Sequence, residues 1–512
     1  MNSRRVRVRF APSPTGPLHM GGVRTALYNA LFARRHGGDF LLRIEDTDRT
    51  RLVPRAEDYI VEALRWCGIP PTEGFSIGGP CGPYRQSERT DIYAAHVDKL
   101  LSTGHAYRAW DTPDEIEGRR KDAEASGATW QYDASTRGGM RNSISLNDRE
   151  IEALMAAGVP SVVRFKTPDA PQDVVFTDRI RGEVRISTAV LDDKVLMKAD
   201  GLPTYHLANV VDDWLMDISH VIRGEEWLPS APLHLLLYAA FGWEAPEFAH
   251  LPLILKPSGN GKLSKRDGDL GGFPVFPLTW TDPVTGTTSV GYRESGYLPE
   301  GFLNMLLMLG WNAGDDREVY TVEEAAAVFD LDRVVRSGAR FNPEKARWFN
   351  ELYLRALPAE AWQEAVAPYL PVGALNGFRG ALIERMLRER IAFPHEAAAA
   401  KWLFEAPAAM DEALVAKKWT PETSPHLDAL AVRWSALADF TAATLESDFA
   451  AFLTERGVGM GAVMLPLRLA LTGVGGGPSM FDLAEYLGRE STVLRIQQAI
   501  QLRAASPARG PE

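Results

Sequence analysis

The opening of the chain, where a strand-like run leads through a proline- and glycine-rich loop into a helix-like run, constrains the fold more than any other feature. Val6 to Phe10 alternates apolar residues with arginines, the period-two pattern of a strand. After "APSPTGPLH", apolar residues from Val23 to Leu31 recur at helical spacing, and Gly37 with Gly38 indicates the helix end. Because another apolar run, Phe40 to Ile44, follows, we predict a right-handed βαβ unit with the loop at the carboxyl edge of its first strand.

The rest of the chain predicts several further domains, since 512 residues are too many for one core. Strand-like Val195 to Met197 and His220 to Ile222 indicate that the parallel sheet resumes after an inserted α+β module, and from about Pro299 onward the pattern is helical. The end, "SPARGPE", is expected to be a frayed tail. The predicted parts are a split Rossmann-like domain at 1–91 and 194–255, the inserted module at 92–193, a region at 256–345 with an insertion near 270–292, and helical domains at 346–410 and 411–512.

Composition and charge exclude several classes of protein. A net charge of −11 disfavours indiscriminate nucleic-acid binding but allows one local basic face. The two cysteines, Cys67 and Cys81, are too few for a disulfide framework or a four-ligand zinc site. We find neither a secretory leader nor a run approaching about 20 apolar residues, and therefore expect a cytoplasmic protein with no membrane partner.

Two short motifs suggest a site for a nucleotide. His19, Gly21 and Gly22 lie where the loop enters the helix, and a helix N-terminus with free N–H groups and nearby glycines suits an anion. The alternative is a tight strand-to-helix turn with an incidental histidine. Neither the GxxxxGK[ST] loop nor the GxGxxG loop occurs, so other groups must neutralise any phosphates.

The second motif is "GKLSKRDG", residues 261–268. Lys262, Lys265 and Arg266 lie close together after a strand-like run, and lysines are suited to a triphosphate whose charge moves during a reaction. A basic surface loop is the alternative interpretation.

Taken together, the motifs resemble those of the class I aminoacyl-tRNA synthetases: "HMGG" is similar to the HIGH signature and "KLSKR" to the KMSKS signature. The resemblance is strongest to the glutamyl-tRNA synthetases, whose motifs are matched in order by "RFAPSPTGPLHMGG", "LRIEDTDRTR", "GLPTYHLANVVDDWLMDISHVIRGEEW" and "KLSKRDG". It covers about the first 310 residues strongly and the helical remainder more loosely. It implies that glutamate is activated with ATP to glutamyl-adenylate and transferred to the 3′ end of tRNA(Glu), with release of pyrophosphate and AMP.

The resemblance also implies roles for individual residues. Glu45 would bind the substrate ammonium, Arg223 with Arg9 the side-chain carboxylate, and Ala11, Ser13, Tyr205 and Asn209 would line the glutamate site. The catalytic residues would be His19, Lys262 and Lys265, and the implied ATP-binding set is His19, Gly21, Gly22, Glu226, Lys262, Leu263, Ser264, Lys265 and Arg266. Each has an ordinary structural alternative, such as an ion pair at a strand end, a core aromatic or a turn residue.

Outside this set, we expect Glu225 to face solvent, and Asp46 and Asp48 to hydrogen-bond the loop or cap a turn.

The implied partners are L-glutamate, ATP with Mg²⁺, and tRNA(Glu), with no zinc expected and a monomer favoured. The inserted module would carry the tRNA acceptor end, residues 256–345 would contact the tRNA stem, and the helical domains would read the anticodon. Arg388 and Arg390 are candidates for anticodon contact, although an exposed helix face explains them equally well. The stretch after "KLSKRDG" is longer than expected for the family and predicts a β-hairpin-like insertion, with turn signals at Asp282 and Gly286.

Four other functions remain as alternatives. Arg223 disfavours a glutaminyl-tRNA synthetase, because a neutral amide gives a buried guanidinium no charge to pair with. A short tRNA-base-glutamylating relative lacks the helical half, and a small-molecule nucleotidylyltransferase needs neither that half nor a glutamate pocket. An inactive tRNA-binding protein would be expected to lose His19, Glu45 or Lys265, and all three are present. Whether tRNA(Gln) is also charged, and whether tRNA must bind before glutamate is activated, stay open.

Overall fold

The computed structural model describes residues 4–505, which form two compact units divided between Phe349 and Asn350. The first unit contains all the described strands, and the second contains helices, as the sequence predicted for the two halves. The predicted tail, 506–512, lies outside the described residues. In the described part of the chain, no helix combines the length and apolar character needed to cross a bilayer.

The strands, numbered in chain order, are β1 Arg7–Phe10, β2 Asp39–Leu42, β3 Glu73–Gly74, β4 Ala106–Ala109, β5 Val162–Phe165, β6 Asp173–Asp178, β7 Gly182–Ser187, β8 Val195–Met197, β9 His220–Gly224, β10 Glu247–Leu251, β11 Ile254–Leu255, β12 Trp280–Thr281, β13 Thr288–Ser289 and β14 Ala339–Arg340. The helices up to the division between the units are α1 Met20–Arg35, α2 Ala56–Trp66, α3 Thr90–Ser102, α4 Pro113–Ala125, α5 Asp148–Ala156, α6 Tyr205–Leu215, α7 Ala231–Phe241, α8 Lys265–Gly271, α9 Pro299–Leu307, α10 Val322–Val328 and α11 Pro343–Ala356.

The opening βαβ unit forms as predicted. β1 pairs in parallel with β2, with Val8 opposite Phe40, and β2 pairs in parallel with β3. α1 connects the first two strands, and its apolar face is buried in the core that it shares with β1 and β2. The helix ends before Gly37, whose φ of +59° is a left-handed conformation that glycine adopts without strain.

A second sheet, of order β7-β6-β10-β9, runs next to the first. β6, β10 and β9 are parallel to one another, and β7 is antiparallel to β6. The backbone N–H of Ser219, just before β9, donates to the carbonyl of Arg7 at 2.9 Å, so β9 lies beside β1. The single predicted parallel sheet is therefore built as two adjacent sheets.

The placement of Val195–Met197 in the parallel sheet is wrong. This strand, β8, pairs with β5 in an antiparallel sheet of order β4-β5-β8, whose other two strands belong to the predicted insertion. Conversely, β6 belongs to the predicted insertion by sequence but pairs with β10, with Asp178 opposite Phe248. An apolar run identifies a strand without identifying its partner, so the sheets cross the predicted boundary near residue 193. The five-part division itself stays a prediction.

The stretch after the "KLSKR" motif forms the predicted hairpin, in which β12 and β13 pair in antiparallel fashion. It is anchored against the start of α1. The backbone N–H of Met20 donates to the carbonyl of Val275 at 2.8 Å, and the ring of Phe276 meets that of His19 edge to face at 6.1 Å. Trp280 is buried against Tyr59. The insertion therefore packs into the core of the first unit.

The second unit is helical, with buried Leu427, Trp434, Leu467 and Ile496 on helices that pack against one another. Its helices beyond α11 are α12 Ala359–Val366, α13 Gly377–Leu387, α14 Glu412–Lys418, α15 Thr423–Ser435, α16 Ala442–Arg456, α17 Met460–Thr472, α18 Met480–Leu487 and α19 Arg489–Ala505.

Candidate active site

A cavity of about 370 Å³ opens where β1 and β9 end. Crevices at the carboxyl ends of parallel strands are where open α/β sheets bind ligands. Many of the predicted site residues line it: Arg9, Ala11, Ser13, His19, Gly21, Gly22, Glu45, Tyr205, Asn209, Arg223, Glu226, Lys262 and Leu263. Within the described chain, Ser264, Lys265 and Arg266 lie outside this lining.

His19 caps the N-terminus of α1 and is among the residues that line the cavity. Its Nδ1 accepts a hydrogen bond from the N–H of Gly21 at 3.1 Å, so the hydrogen of the neutral ring is on Nε2. Nε2 is buried and has no hydrogen-bond partner among the described residues. Burial, with a smaller effect of the positive charge of Lys262, lowers the pKa of His19 to about 4. At neutral pH His19 is therefore uncharged and carries a buried N–H donor at Nε2.

A buried cluster of charges forms one wall. Asp213 lies 2.9 Å from Nε of Arg9 and 2.8 Å from Nη1 of Arg43, and Nη2 of Arg43 lies 3.2 Å from Glu45. Asn209 fits between them with its amide oxygen turned toward the two guanidinium groups, at 3.2 and 3.3 Å.

The charges of this cluster are not equally matched. Asp213 is shared by two arginines, whereas Glu45 has one long contact with Arg43 and is 9% exposed. Burial raises the pKa of Glu45 despite the opposing charges of Arg43 and Arg9. A cationic ligand group at Glu45 would supply the compensation that the carboxylate lacks.

Arg223 is a buried cation of the cavity that has no carboxylate partner. It is 5% exposed, and among residues 4–505 no carboxylate lies within 4.0 Å of it. Its guanidinium donates instead to neutral groups: His250 Nε2 at 3.1 Å, the Tyr205 hydroxyl at 3.0 Å, and His234 Nδ1 and the Trp227 carbonyl at 3.3 Å. A buried, unneutralised guanidinium on a cavity wall is suited to an anionic ligand group.

At the other end of the cavity, Lys262 and Glu226 pair with each other at 3.0 Å, and both side chains are largely exposed. Burial opposes the ionisation of Glu226, but hydrogen bonds from its own N–H and from Lys262 outweigh it and lower its pKa. Glu225, expected to face solvent, is instead half-buried, where it pairs with Arg181 and accepts from the N–H of Leu253 at 2.9 Å.

The "KLSKR" motif turns from a loop into a helix. Leu263 is buried and its N–H donates to the carbonyl of Ile254 at 2.8 Å, which anchors the loop to β11. Ser264 then caps α8, and Asp267 accepts from its backbone N–H at 2.9 Å. Lys265 therefore begins α8 and is exposed beside a groove that it shares with the hairpin.

Comparisons with known proteins decide the family. Residues 5–348 match the model of the catalytic domain of class I tRNA synthetases (E and Q), and residues 351–500 match an anticodon binding domain. A glutamate–tRNA ligase of Porphyromonas gingivalis is 53% identical over 98% of this chain and 100% of its own length. One from Christiangramia forsetii is 49% identical over 97% of this chain and 99% of its own. The chain belongs to the glutamate–tRNA ligase family of class I tRNA synthetases.

Solved structures of this family share the fold. The glutamate–tRNA ligase of Elizabethkingia meningosepticum, crystallised in complex with its amino acid, is 51% identical, covers 97% of this chain and 99% of its own, and superposes with a TM-score of 0.92. The synthetase of Elizabethkingia anophelis is 50% identical over 97% of this chain and 100% of its own, also with a TM-score of 0.92.

Several residues in or directly behind this family member's cavity were not predicted from sequence. Arg43 and Asp213 lie within the quoted motifs, and Asp213 is four residues after Asn209 on α6, so both share a helix face, a signal that was available. Arg24 and Trp227 line the cavity itself, whereas Arg43 and Asp213 lie outside its lining. His250 had no local signal, because it meets Arg223 only through strand pairing.

The capping role predicted for Asp48 is confirmed, whereas Asp46 forms its hydrogen bonds with a residue distant in sequence. Asp46 accepts from the N–H of Ser87 at 2.8 Å, and Asp48 caps the turn at Arg49–Arg51.

In the anticodon-binding unit of the ligase fold, Arg388 is partly buried and donates to the carbonyls of Arg355 and Leu357 and to Glu384. Arg390 is exposed.

Proposed function

We propose that the cavity binds L-glutamate and ATP together and that the chain joins glutamate to tRNA(Glu). The observation that carries this proposal is the contrast along one wall: Arg223 is buried without a carboxylate, while Glu45 is buried with too little positive charge beside it. Glutamate has a side-chain carboxylate for the first group and an ammonium for the second. Glutamine would leave the Arg223 charge unpaired, which favours glutamate as the substrate.

Ala11, Ser13, Tyr205 and Asn209 are assigned to the walls of the glutamate site. Arg9 is assigned a supporting role, since Asp213 already neutralises it in the structure. Its contribution to the ligand carboxylate would be through its positive field and any N–H group left free.

The nucleotide is assigned to the end of the cavity formed by His19, Gly21, Gly22, Glu226 and Lys262. The Nε2–H of His19 would donate to a phosphate oxygen, and Lys262 would exchange its contact with Glu226 for one with the triphosphate. Glu226 is the carboxylate that lines this end, so Mg²⁺ would be held mainly by the phosphate oxygens with which it arrives.

The proposed reaction has two steps. An oxygen of the glutamate α-carboxylate attacks the α-phosphorus of ATP, forming the mixed anhydride and breaking the bond to pyrophosphate. A terminal 2′-hydroxyl of tRNA then attacks the anhydride carbonyl, forming the ester and releasing AMP. Little covalent help is needed, and the chain's contribution is positioning and the stabilisation of developing charge.

Lys265 requires a movement of the motif to take part. It lies outside the cavity lining at the start of α8, on a segment between Gly261 and Gly272, so we propose that this segment closes over the triphosphate during the first step. Ser264 and Arg266 would move with it, while Leu263 stays anchored to β11. Lysines that reach the phosphates in this way stabilise the transition state more than bound ATP.

For the helical unit we propose anticodon reading, with Arg390 favoured over Arg388, whose donors are largely used within the unit. Roles for residues 92–193 at the acceptor end and for 256–345 at the tRNA stem, a cytoplasmic location, a monomeric state and the lack of zinc remain predictions.

Exchange of labelled pyrophosphate into ATP tests the proposal when glutamate and glutamine are compared, each with and without tRNA(Glu). We expect exchange with glutamate and far less with glutamine. Equal exchange with both amino acids would refute the assignment of Arg223, and charging of tRNA(Gln) in the same preparation would show whether the second tRNA is also a substrate.

A further inference from the structure

Behind the cavity, three neighbouring strands carry a hydrogen-bonded chain from Asp178 through His250 to Arg223. Asp178 ends β6, His250 lies in β10, and Arg223 lies opposite His250 in β9. The three are 1%, 0% and 5% exposed. His250 Nδ1 lies 2.7 Å from the Asp178 carboxylate, and Nε of Arg223 lies 3.1 Å from His250 Nε2.

The donors and acceptors of these two hydrogen bonds have one consistent assignment. A guanidinium can only donate, so His250 Nε2 accepts and the hydrogen of the ring lies on Nδ1, where it is donated to Asp178. Asp178 also accepts from the N–H groups of Ile180 and Arg181 at 3.0 and 2.9 Å. Burial lowers the pKa of His250 even though its bond to Asp178 opposes this effect, so the ring is neutral at pH 7.

The position of His250 between Arg223 and Asp178 differs from the arrangement around Asp213, where arginines contact the carboxylate directly. Arg9 and Arg43 both contact Asp213 directly, and Arg43 also contacts Glu45, so each guanidinium has a carboxylate partner. Arg223 is also held by hydrogen bonds, but the neutral ring of His250 stands between it and the Asp178 carboxylate. Its orientation is fixed while its charge remains available to a ligand.

The other groups that face Arg223 also leave its charge unneutralised. The Tyr205 hydroxyl and the Trp227 carbonyl are neutral. His234 accepts from Arg223 at Nδ1, so its Nε2 donates to Nδ1 of His206 at 3.1 Å. Burial and the charge of Arg223 lower the pKa of His234 well below its ordinary value.

We propose that Asp178 and His250 are positioning residues that aim Arg223 at the glutamate side chain while leaving its charge unneutralised, so that they set both glutamate affinity and discrimination against glutamine. This inference rests on the proposed function of the cavity. Such control from behind the first contact layer is a general property of sites that depend on one oriented side chain.

Two amide variants of one residue test it. In H250Q, the amide oxygen reaches the place of Nε2 and can still accept from Arg223, whereas in H250N the shorter amide stays near Asp178 and leaves Nε of Arg223 without its acceptor. D178N is a second variant, in which the acceptor of the Nδ1–H is weakened. H220N is the matched control, because His220 is also on β9 but pairs with Ser219 and Glu247.

Glutamate and glutamine binding are measured by titration calorimetry with and without tRNA(Glu), KM for ATP is measured separately, and thermal melts establish that each variant is folded. We expect H250N to weaken glutamate binding about tenfold, from a lost hydrogen bond to a charged group, with KM for ATP within about twofold and a smaller glutamate-to-glutamine preference. D178N should act in the same direction and less strongly. H250Q should stay within about threefold of the unmodified protein, as should H220N.

The outcomes separate the two proposals. If the unmodified protein fails to bind glutamate, the proposed function fails and this inference fails with it. If it binds glutamate but H250N and D178N bind equally well, the proposed function stands and the positioning roles are refuted. Equal weakening by H250Q and H250N would also refute them, because the retained acceptor would then have no effect.

Discussion

The sharpest prediction concerns Arg223→Gln. The side chain is 5% exposed and has neutral partners, so its replacement removes no ion pair within the described chain. The loss should therefore fall on ligand binding. Removing one partner of a buried, hydrogen-bonded charge pair costs about 2–5 kcal/mol, which corresponds to roughly 30- to 4,000-fold in kcat/KM for glutamate.

The assay is pyrophosphate exchange in the presence of tRNA(Glu), with KM determined separately for glutamate and ATP. We expect kcat/KM for glutamate to fall by this factor while KM for ATP changes by less than about threefold, since Arg223 is not among the residues assigned to the nucleotide. The value of kcat/KM for glutamine should fall less than that for glutamate, so the ratio of the two values becomes smaller. The control is R185Q, the same substitution on β7, where Arg185 pairs with Asp173 and Glu183 at the surface.

Unchanged kinetics with glutamate would refute the reasoning, because the variant would then have removed a charge that no ligand uses. A parallel loss for ATP and glutamate, accompanied by a lower melting temperature, would indicate a structural role instead. Either result would show that Arg223 does not bind the glutamate carboxylate, and the substrate assignment would lose its main support.

Three further predictions concern other parts of the first unit. K265A should slow adenylate formation about 100-fold while ATP affinity measured by equilibrium binding stays near that of the unmodified protein, and a loss of affinity alone would contradict transition-state stabilisation by this lysine. Because the pKa of His19 falls from about 6.5 when unfolded to about 4 when folded, the unfolded state binds more protons between these values, so stability is full above pH 6.5 and falls by about 1–3 kcal/mol toward pH 4. H19N should reduce this dependence of the free energy of unfolding on pH, measured by urea titrations at several pH values. An unaltered dependence would contradict its assignment to His19. G291A should destabilise the chain by about 1–3 kcal/mol, since a Cβ there would stand 2.1 Å from the backbone of Leu278; a melting temperature unchanged by the substitution would show that the hairpin is not packed as described.

Local signals predicted local structure well. The alternation before Phe10, the helical spacing after His19 and the glycines at 37 and 38 are all short-range features, and β1, α1 and their end points follow from them. The pairing partners of the strands were harder to predict from local signals. β8 was assigned to the wrong sheet because its three residues specify an extended conformation and not a neighbour, whereas pairing depends on contacts made far along the chain.

The candidate site shows the same division. Residues inside long motifs, such as Glu45 and Arg223, were predicted to lie at the site, and both line the cavity. The charged partners of Arg9 and Arg43 were not: Asp213 becomes significant only when both arginines are seen to contact it. The position of Lys265 outside the lining was also unpredictable, because a motif gives the order of residues and not how far a loop stands from its ligand.

The contact between Met20 and Val275 joins the beginning of α1 to the segment that leaves the lysine motif. A backbone carbonyl there occupies an N–H that would otherwise be free, and Phe276 rests against the ring that faces the cavity. Lengthening or shortening residues 272–276 would thus alter the surroundings of His19 directly. We expect natural variation in this part of the chain to collect in the turn between β12 and β13, where side chains such as Val284 face solvent, and to leave the anchoring residues at a fixed distance from Lys265.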